Sequence, residues 1–140
     1  MTEPDTTALV DASVHALIRT ATDARKNAYA PYSGFAVGAA ACTADGRIFT
    51  GCNVENASYG LCNCAERSAL FAAISAGCRP GDLTHLAMIA DCDGPVSPCG
   101  ACRQVMMELG GPTLIVIQAN MRGEIVQTTA SQLLPGAFSL

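Results

Sequence analysis

Two short cysteine clusters, Cys64-Ala65-Glu66 and Pro98-Cys99-Gly100-Ala101-Cys102, carry the residue types from which metal chemistry is built. Cys99 and Cys102 lie three positions apart, so on a first helical turn their sulfurs can converge on one ion, and Cys64 supplies a third ligand. Three protein ligands leave the fourth tetrahedral position to water, the arrangement of a catalytic rather than a structural zinc. Glu66, two residues from a ligand, can reach that water. Both clusters fall at predicted helix starts, where the positive end of a helix dipole favours the thiolates that a metal needs. Three thiolates also make the centre one unit more negative than two Cys with one His, which weakens the metal as a Lewis acid. Arg67, directly after Glu66, is the candidate to offset that charge by donating hydrogen bonds to ligand sulfurs.

Other readings of the same cysteines compete. Cys99-Gly100-Ala101-Cys102 at a helix start resembles a redox dithiol, but the strand order is wrong for that fold and Cys64-Ala65-Glu66 is left without a role. A structural zinc with Cys62 as fourth ligand is the sharper rival, and it leaves Glu66 unexplained. A non-enzymatic zinc module that binds a partner protein is a third. Cys42, Cys52, Cys78 and Cys92 read as small buried hydrophobes. His15, within the first predicted helix, and His85, at a strand start, read as structural.

The elements that must hold these clusters follow from periodicity. Val10, Val14, Leu17, Ala21, Ala24 and Ala28 recur at steps of three or four, one face of a helix over about residues 6–30, closed by Pro31. After the turn at Pro31-Tyr32-Ser33-Gly34, residues 35–43 form an apolar, Ala- and Gly-rich run, a buried strand with close neighbours. Asp45-Gly46 marks a hairpin into a second strand over about 48–53. A polar loop over 54–60 leads to a helix over about 64–76, with Gly77 just past its end. Then come a strand near 85–90, a loop with Gly94-Pro95 and Pro98, and a short helix over about 99–109 stopped by Gly110-Gly111-Pro112. Residues 113–119 are strongly β-forming, 120–123 turn into one more strand, and a short helix near 130–134 ends at Pro135-Gly136. The order α-β-β-α-β-α-β-β-α implies an α/β fold, a mixed five-stranded sheet flanked by helices in three α-β-α layers. No repeat, low-complexity tract or linker interrupts it, so 1–140 reads as one domain.

Composition narrows the function. Charged residues make up 14% of the chain against roughly 25% in an average soluble protein, and half of the residues are apolar, which suggests extra surface buried between subunits. A formal net charge of −4 is a poor match to a phosphate backbone, so a nucleic-acid substrate is disfavoured. The acidic start Met1-Thr2-Glu3-Pro4-Asp5 does not resemble a secretory signal, and no uncharged run approaches a membrane span. With no sign of export, the eight cysteines read as reduced thiols of a soluble cytoplasmic protein, some of them on metal.

Cys-x-Glu followed by Pro-Cys-x-x-Cys is the zinc deaminase signature. Together with Pro31-Tyr32-Ser33-Gly34-Phe35-Ala36-Val37-Gly38-Ala39-Ala40, Gly51-Cys52-Asn53-Val54-Glu55-Asn56-Ala57-Ser58-Tyr59-Gly60, Cys64-Ala65-Glu66-Arg67 and Pro98-Cys99-Gly100-Ala101-Cys102-Arg103, it makes the chain similar to the small homotetrameric cytidine deaminases over about residues 31–103. The resemblance implies one zinc per subunit on Cys64, Cys99 and Cys102, and hydrolysis of cytidine and 2′-deoxycytidine in pyrimidine salvage. Zinc-bound hydroxide attacks C4, and Glu66 shuttles the protons. It also implies that Asn53 and Glu55 hold the ribose, that Phe35 lies against the pyrimidine, and that Ala65 touches the substrate. Ala57 and Tyr59 then complete a neighbouring subunit's pocket, and Phe138 covers a neighbour's base. Residue chemistry agrees for the ribose: Glu accepts while Asn both donates and accepts, though loop shaping is the plainer role and fits Asn56. Deoxycytidylate, free-base and polynucleotide deaminases are the competing readings. Asn53-x-Glu55 argues for a sugar, and the acidic balance argues against phosphate.

Overall fold

The computed structural model describes residues 6–140, with side chains from Ala12 onward; Val10 lies outside the described side chains. Helix α1, Thr6–Arg25, buries Val14, Leu17, Ala21 and Ala24, the predicted face. It ends before residue 30. The N–H groups of Lys26, Asn27 and Ala28 bond only three residues back, and Tyr29 leaves to pair its backbone with Asn53 and Glu55. Spacing alone carried the helix through Ala28, whereas a strand-like bridge claims the backbone there.

Five strands follow: β1 Val37–Thr43, β2 Ile48–Cys52, β3 Leu83–Ala90, β4 Ile115–Asn120 and β5 Ile125–Thr129. They form one sheet in the order β2-β1-β3-β4-β5, in which only β3 and β4 run parallel. That parallel pair needs a crossover. The loop after Ala90 and helix α3, Gly100–Val105, provide it, and the helix runs on into a π turn, Met106–Gly110, that local pattern does not reveal. Helix α2, Ala65–Ser75, links β2 to β3 after a 3-10 turn at Tyr59–Leu61, and α4, Ala130–Leu133, closes the fold.

Side chains alternate across the sheet as strand geometry requires. Ala39, Ala41, Leu86, Met88, Ala90 and Val116 point to the side of α2 and α3, packing with Ala65, Ala69, Leu70, Ala73, Cys102 and Met106. Ala40, Ala87, Ile89, Ile117 and Ala119 face the other way, onto Val14, Leu17 and Ala21 of α1. The result is the predicted three layers around a mixed five-stranded sheet.

Two glycines set how closely the layers approach. A Cβ at Gly38 would stand 2.0 Å from the Ala21 carbonyl oxygen, and one at Gly51 would stand 2.4 Å from the Ala65 carbonyl oxygen and 2.5 Å from the Ala69 nitrogen. Glycine at 51 therefore lets the first turn of α2 lie directly on β2. Among the described residues, no helix is long and apolar enough to cross a membrane.

Candidate active site

Cys64 is the N-cap of α2 and Cys99 the N-cap of α3, both in extended conformation. The Cys99 sulfur accepts the Cys102 N–H at 3.4 Å, so the second cluster is wound into the helix start. Cys102, in that first turn, is fully buried. The three sulfurs all lie within 4.8 Å of one another, and Cys64 and Cys99 are 3.7 Å apart. Zinc–sulfur bonds of about 2.3 Å in a tetrahedron set a sulfur–sulfur edge of about 3.8 Å, so the donor set fits zinc in both kind and spacing. Cys62 is not in the group. Its thiol donates to the Asn56 carbonyl and accepts the Asn56 N–H at 3.3 Å, which fixes the 56–62 loop instead.

Glu66, in the first turn of α2, is 4% exposed, and its Oε2 accepts from the Cys102 thiol at 3.4 Å. Burial, before any other influence, raises its carboxyl above the ordinary range. Arg67 Nη2 donates to the Cys64 sulfur at 3.3 Å, and its buried Nε has no hydrogen-bond partner. That contact with Cys64 holds the guanidinium above its usual pKa. Hydrogen bonding with Cys102 first, then with Arg67 and Cys99, pulls the Cys64 thiol down to about 5 against the opposing effect of burial. Cys102 moves up, through its bond to Cys64 and its burial.

Beside this cluster stands a second, braced group. Val54 and Asn63 pair backbone to backbone, both bonds 2.9 Å, which fastens the Asn53–Glu55 segment to the residue preceding Cys64. Asn53 accepts the Val37 N–H at 2.8 Å and donates to the Phe35 carbonyl at 2.7 Å. Glu55 Oε1 accepts the Tyr32 and Ser33 N–H groups at 3.0 Å each, and Oε2 accepts the Ser33 hydroxyl. The hydrogen bond from the Ser33 hydroxyl, chiefly, keeps that carboxyl below its ordinary range. Both amide atoms of Asn53 and the Oε2 of Glu55 keep hydrogen-bonding capacity to spare, whereas Glu55 Oε1 is filled by its two N–H donors. Asn53 also explains why β1 begins at Val37 rather than 35: its side chain ties down Phe35 as a loop. A depression of about 240 Å³ lies among Tyr32, Ser33, Glu55, Tyr59 and Cys62, where Tyr32 and Tyr59 meet edge to face at 6.4 Å.

The remaining predicted residues are spread around these two groups. Phe35 is half-exposed at 41%, Ala65 is buried, and Ala57 and Tyr59 lie on the surface. Phe138 is 72% exposed, its carbonyl held by Gln104 Nε2 at 3.0 Å. Asn56 shapes its loop, accepting the Ser58 N–H at 2.8 Å. His15 is exposed, and His85 meets Thr84 Oγ1 at 2.9 Å. Of the four cysteines expected to be buried, only Cys78 is; Cys42, Cys52 and Cys92 are half-buried. Sequence reasoning missed Ser33 and Asn63 as braces, although Ser33 lies within a quoted segment and Asn63 directly precedes another, and it gave no role to Arg103.

Comparison with known proteins agrees with this geometry. A sequence model of the family described as "Cytidine and deoxycytidylate deaminase zinc-binding region" matches residues 12–118. The chain is 52% identical over 126 residues to the cytidine deaminase of Sporosarcina psychrophila, covering 90% of this chain and 91% of that protein. It is 54% identical over 123 residues to the cytidine deaminase of Halalkalibacterium halodurans, covering 88% and 92%. The crystal structure of cytidine deaminase from Burkholderia pseudomallei superposes with a TM-score of 0.88 at 62% identity, covering 89% of this chain and 98% of that one.

Proposed function

Because the chain belongs to the cytidine and deoxycytidylate deaminase family, a family of zinc-binding hydrolases, we propose that it converts cytidine and 2′-deoxycytidine to uridine and 2′-deoxyuridine with release of ammonia, as a pyrimidine salvage enzyme of the cytoplasm. The observation that carries this reading is the Glu66 carboxyl, buried within hydrogen-bond reach of one of three converging thiols.

Zinc held by Cys64, Cys99 and Cys102 supplies a Lewis acid that lowers the pKa of a water molecule. Glu66 does the rest of the proton work. Its raised affinity for a proton suits it to take one from that water and pass it to N3 of the base, then to take the proton of the hydroxyl gained at C4 and deliver it to the departing amine. Burial also keeps bulk water from competing for those protons. Arg67 offsets the third thiolate by its bond to Cys64.

Asn53 and Glu55 hold the ribose with the hydrogen-bonding capacity left over from bracing their loops, while Phe35 and Ala65 contact the base. An acidic chain without a cationic cluster among these residues favours a nucleoside over a nucleotide or polynucleotide. The exposed Tyr29, Tyr32, Val54, Tyr59 and Leu61 form an apolar surface suited to subunit contact. The assembly we propose is a homotetramer in which Ala57, Tyr59 and Phe138 of one subunit complete a neighbour's pocket. A single domain, no nucleic acid and no membrane complete the reading.

The test follows the ultraviolet change from cytidine to uridine in wild type and Glu66→Gln. Turnover in wild type, with a loss of about 10²- to 10⁴-fold in a folded, zinc-containing variant, is expected for a general acid–base. Comparable rates in both would remove Glu66 from the chemistry.

A further inference from the structure

The loop over residues 91–99, which carries Cys99 at its end, is stitched to the fold by side chains from two directions. Two buried amides of β4 hold its first part: Asn120 donates to the Cys92 carbonyl at 3.2 Å, and Gln118 donates to the Val96 carbonyl at 2.9 Å. Its last two residues before Cys99 depend on Arg103. Arg103 Nη2 donates to the Ser97 hydroxyl at 2.8 Å and Nε donates to the Pro98 carbonyl at 2.9 Å. The third arm of the guanidinium, Nη1, reaches the Leu133 carbonyl at the end of α4 at 2.8 Å.

A guanidinium is a rigid planar fork, so three acceptors bonded to it are fixed relative to one another and not merely attracted. Pro98 adds to this, because its ring fixes φ and the orientation of its carbonyl is tied to the path into Cys99. We propose that Arg103 is a positioning residue for the metal centre: it braces the loop that presents Cys99 against the C-terminal segment and so holds that sulfur at the spacing set by Cys64 and Cys102. The adjacent Gln104 fastens the chain again at Phe138, so one helical turn joins the metal loop to the tail. The inference deepens the zinc deaminase reading and rests on it.

Zinc-loaded wild type, Arg103→Gln, Arg103→Lys and Ser97→Ala are mixed with excess colorimetric zinc chelator, and zinc transfer is timed. Midpoints of thermal unfolding are measured for loaded and metal-free forms, with cytidine turnover recorded alongside. Zinc release is expected to quicken by about 10- to 100-fold in both Arg103 variants, since lysine keeps the charge but not the fork, and by a smaller factor in Ser97→Ala. The gap between loaded and metal-free midpoints should narrow in the same order; a merely structural role lowers both midpoints together and leaves the gap intact. Wild-type release rates and an unchanged gap in a folded Arg103 variant overturn the proposal. If neither Arg103 variant folds, wild-type behaviour of Ser97→Ala does so. A wild type that keeps zinc but does not act on cytidine sinks the deaminase reading instead and leaves the release data to judge Arg103.

Discussion

Adding one methyl group at Gly51 should disturb chemistry that the residue never touches. A Cβ there would stand 2.4 Å from the Ala65 carbonyl oxygen, 2.5 Å from the Ala69 nitrogen and 2.8 Å from the Ser68 Cβ. Ordinary contact begins near 3.4 Å, and the two nearest of these atoms are backbone, which no rotamer change can move aside. Either β2 or the start of α2 must retreat by roughly 1 Å. Both lead to the site, since β2 runs into Asn53 and α2 carries Cys64, Glu66 and Arg67. Overpacking of this kind costs about 2 kcal/mol, which for a domain of this size lowers the thermal midpoint by about 6–10 °C. A displacement of about 1 Å at the reacting groups is worth about 10²-fold in turnover. The assay compares Gly51→Ala with wild type by circular dichroism melting and by cytidine turnover below the melting range. Thr50→Ala, at the exposed neighbouring position, serves as control and should stay within about 0.5 kcal/mol of wild type. A Gly51→Ala protein with the wild-type midpoint and rate would show that the layers have room there, and the argument from close approach would fail.

Arg67→Gln should lose turnover by about tenfold or more and release zinc faster, because it removes the cation at the Cys64 sulfur; metal content and kcat read the two effects, and wild-type values for both refute the charge-offset role. Glu55 predicts a pH profile. Its carboxyl is depressed in the folded protein, so its contribution to stability is present above the unfolded value near 4.5 and is lost as pH falls through the lower folded value. It therefore stays ionised across the working range, and KM for cytidine should be flat from about pH 5 upward; a carboxylate-like rise in KM centred between about pH 5 and 7 would contradict the bonds it receives from Tyr32 and Ser33.

Much of this architecture was legible because one face of each element repeats. The alternation of Ala39, Ala40 and Ala41, and of Leu86 to Ala90, is the two-sided burial of a central strand, and the helix start predicted at about Cys99 is where the N-cap of α3 lies. What escaped was set by contacts between distant segments. The helix boundary at Arg25 depends on Asn53 and Glu55, and the strand start at Val37 depends on the Asn53 amide. Half-burial of Cys42 near the end of the interior strand β1, of Cys52 at the end of the edge strand β2 and of Cys92 in a loop reflects positions that residue type does not encode. The part played by Arg103 joins Ser97, Pro98 and Leu133, which no local window contains.

Cys64 and Cys99 stand 35 positions apart in the chain, yet their sulfurs meet at 3.7 Å. An ion held between them is a removable clasp on an otherwise open loop. An ion bound by the folded site alone stabilises the fold by its own binding free energy, a contribution that grows with the concentration of free ion. Unlike a disulfide, such a clasp keeps its grip in a reducing solution and opens to competition for the ion, which ties the durability of the fold to how well its surroundings are supplied with metal.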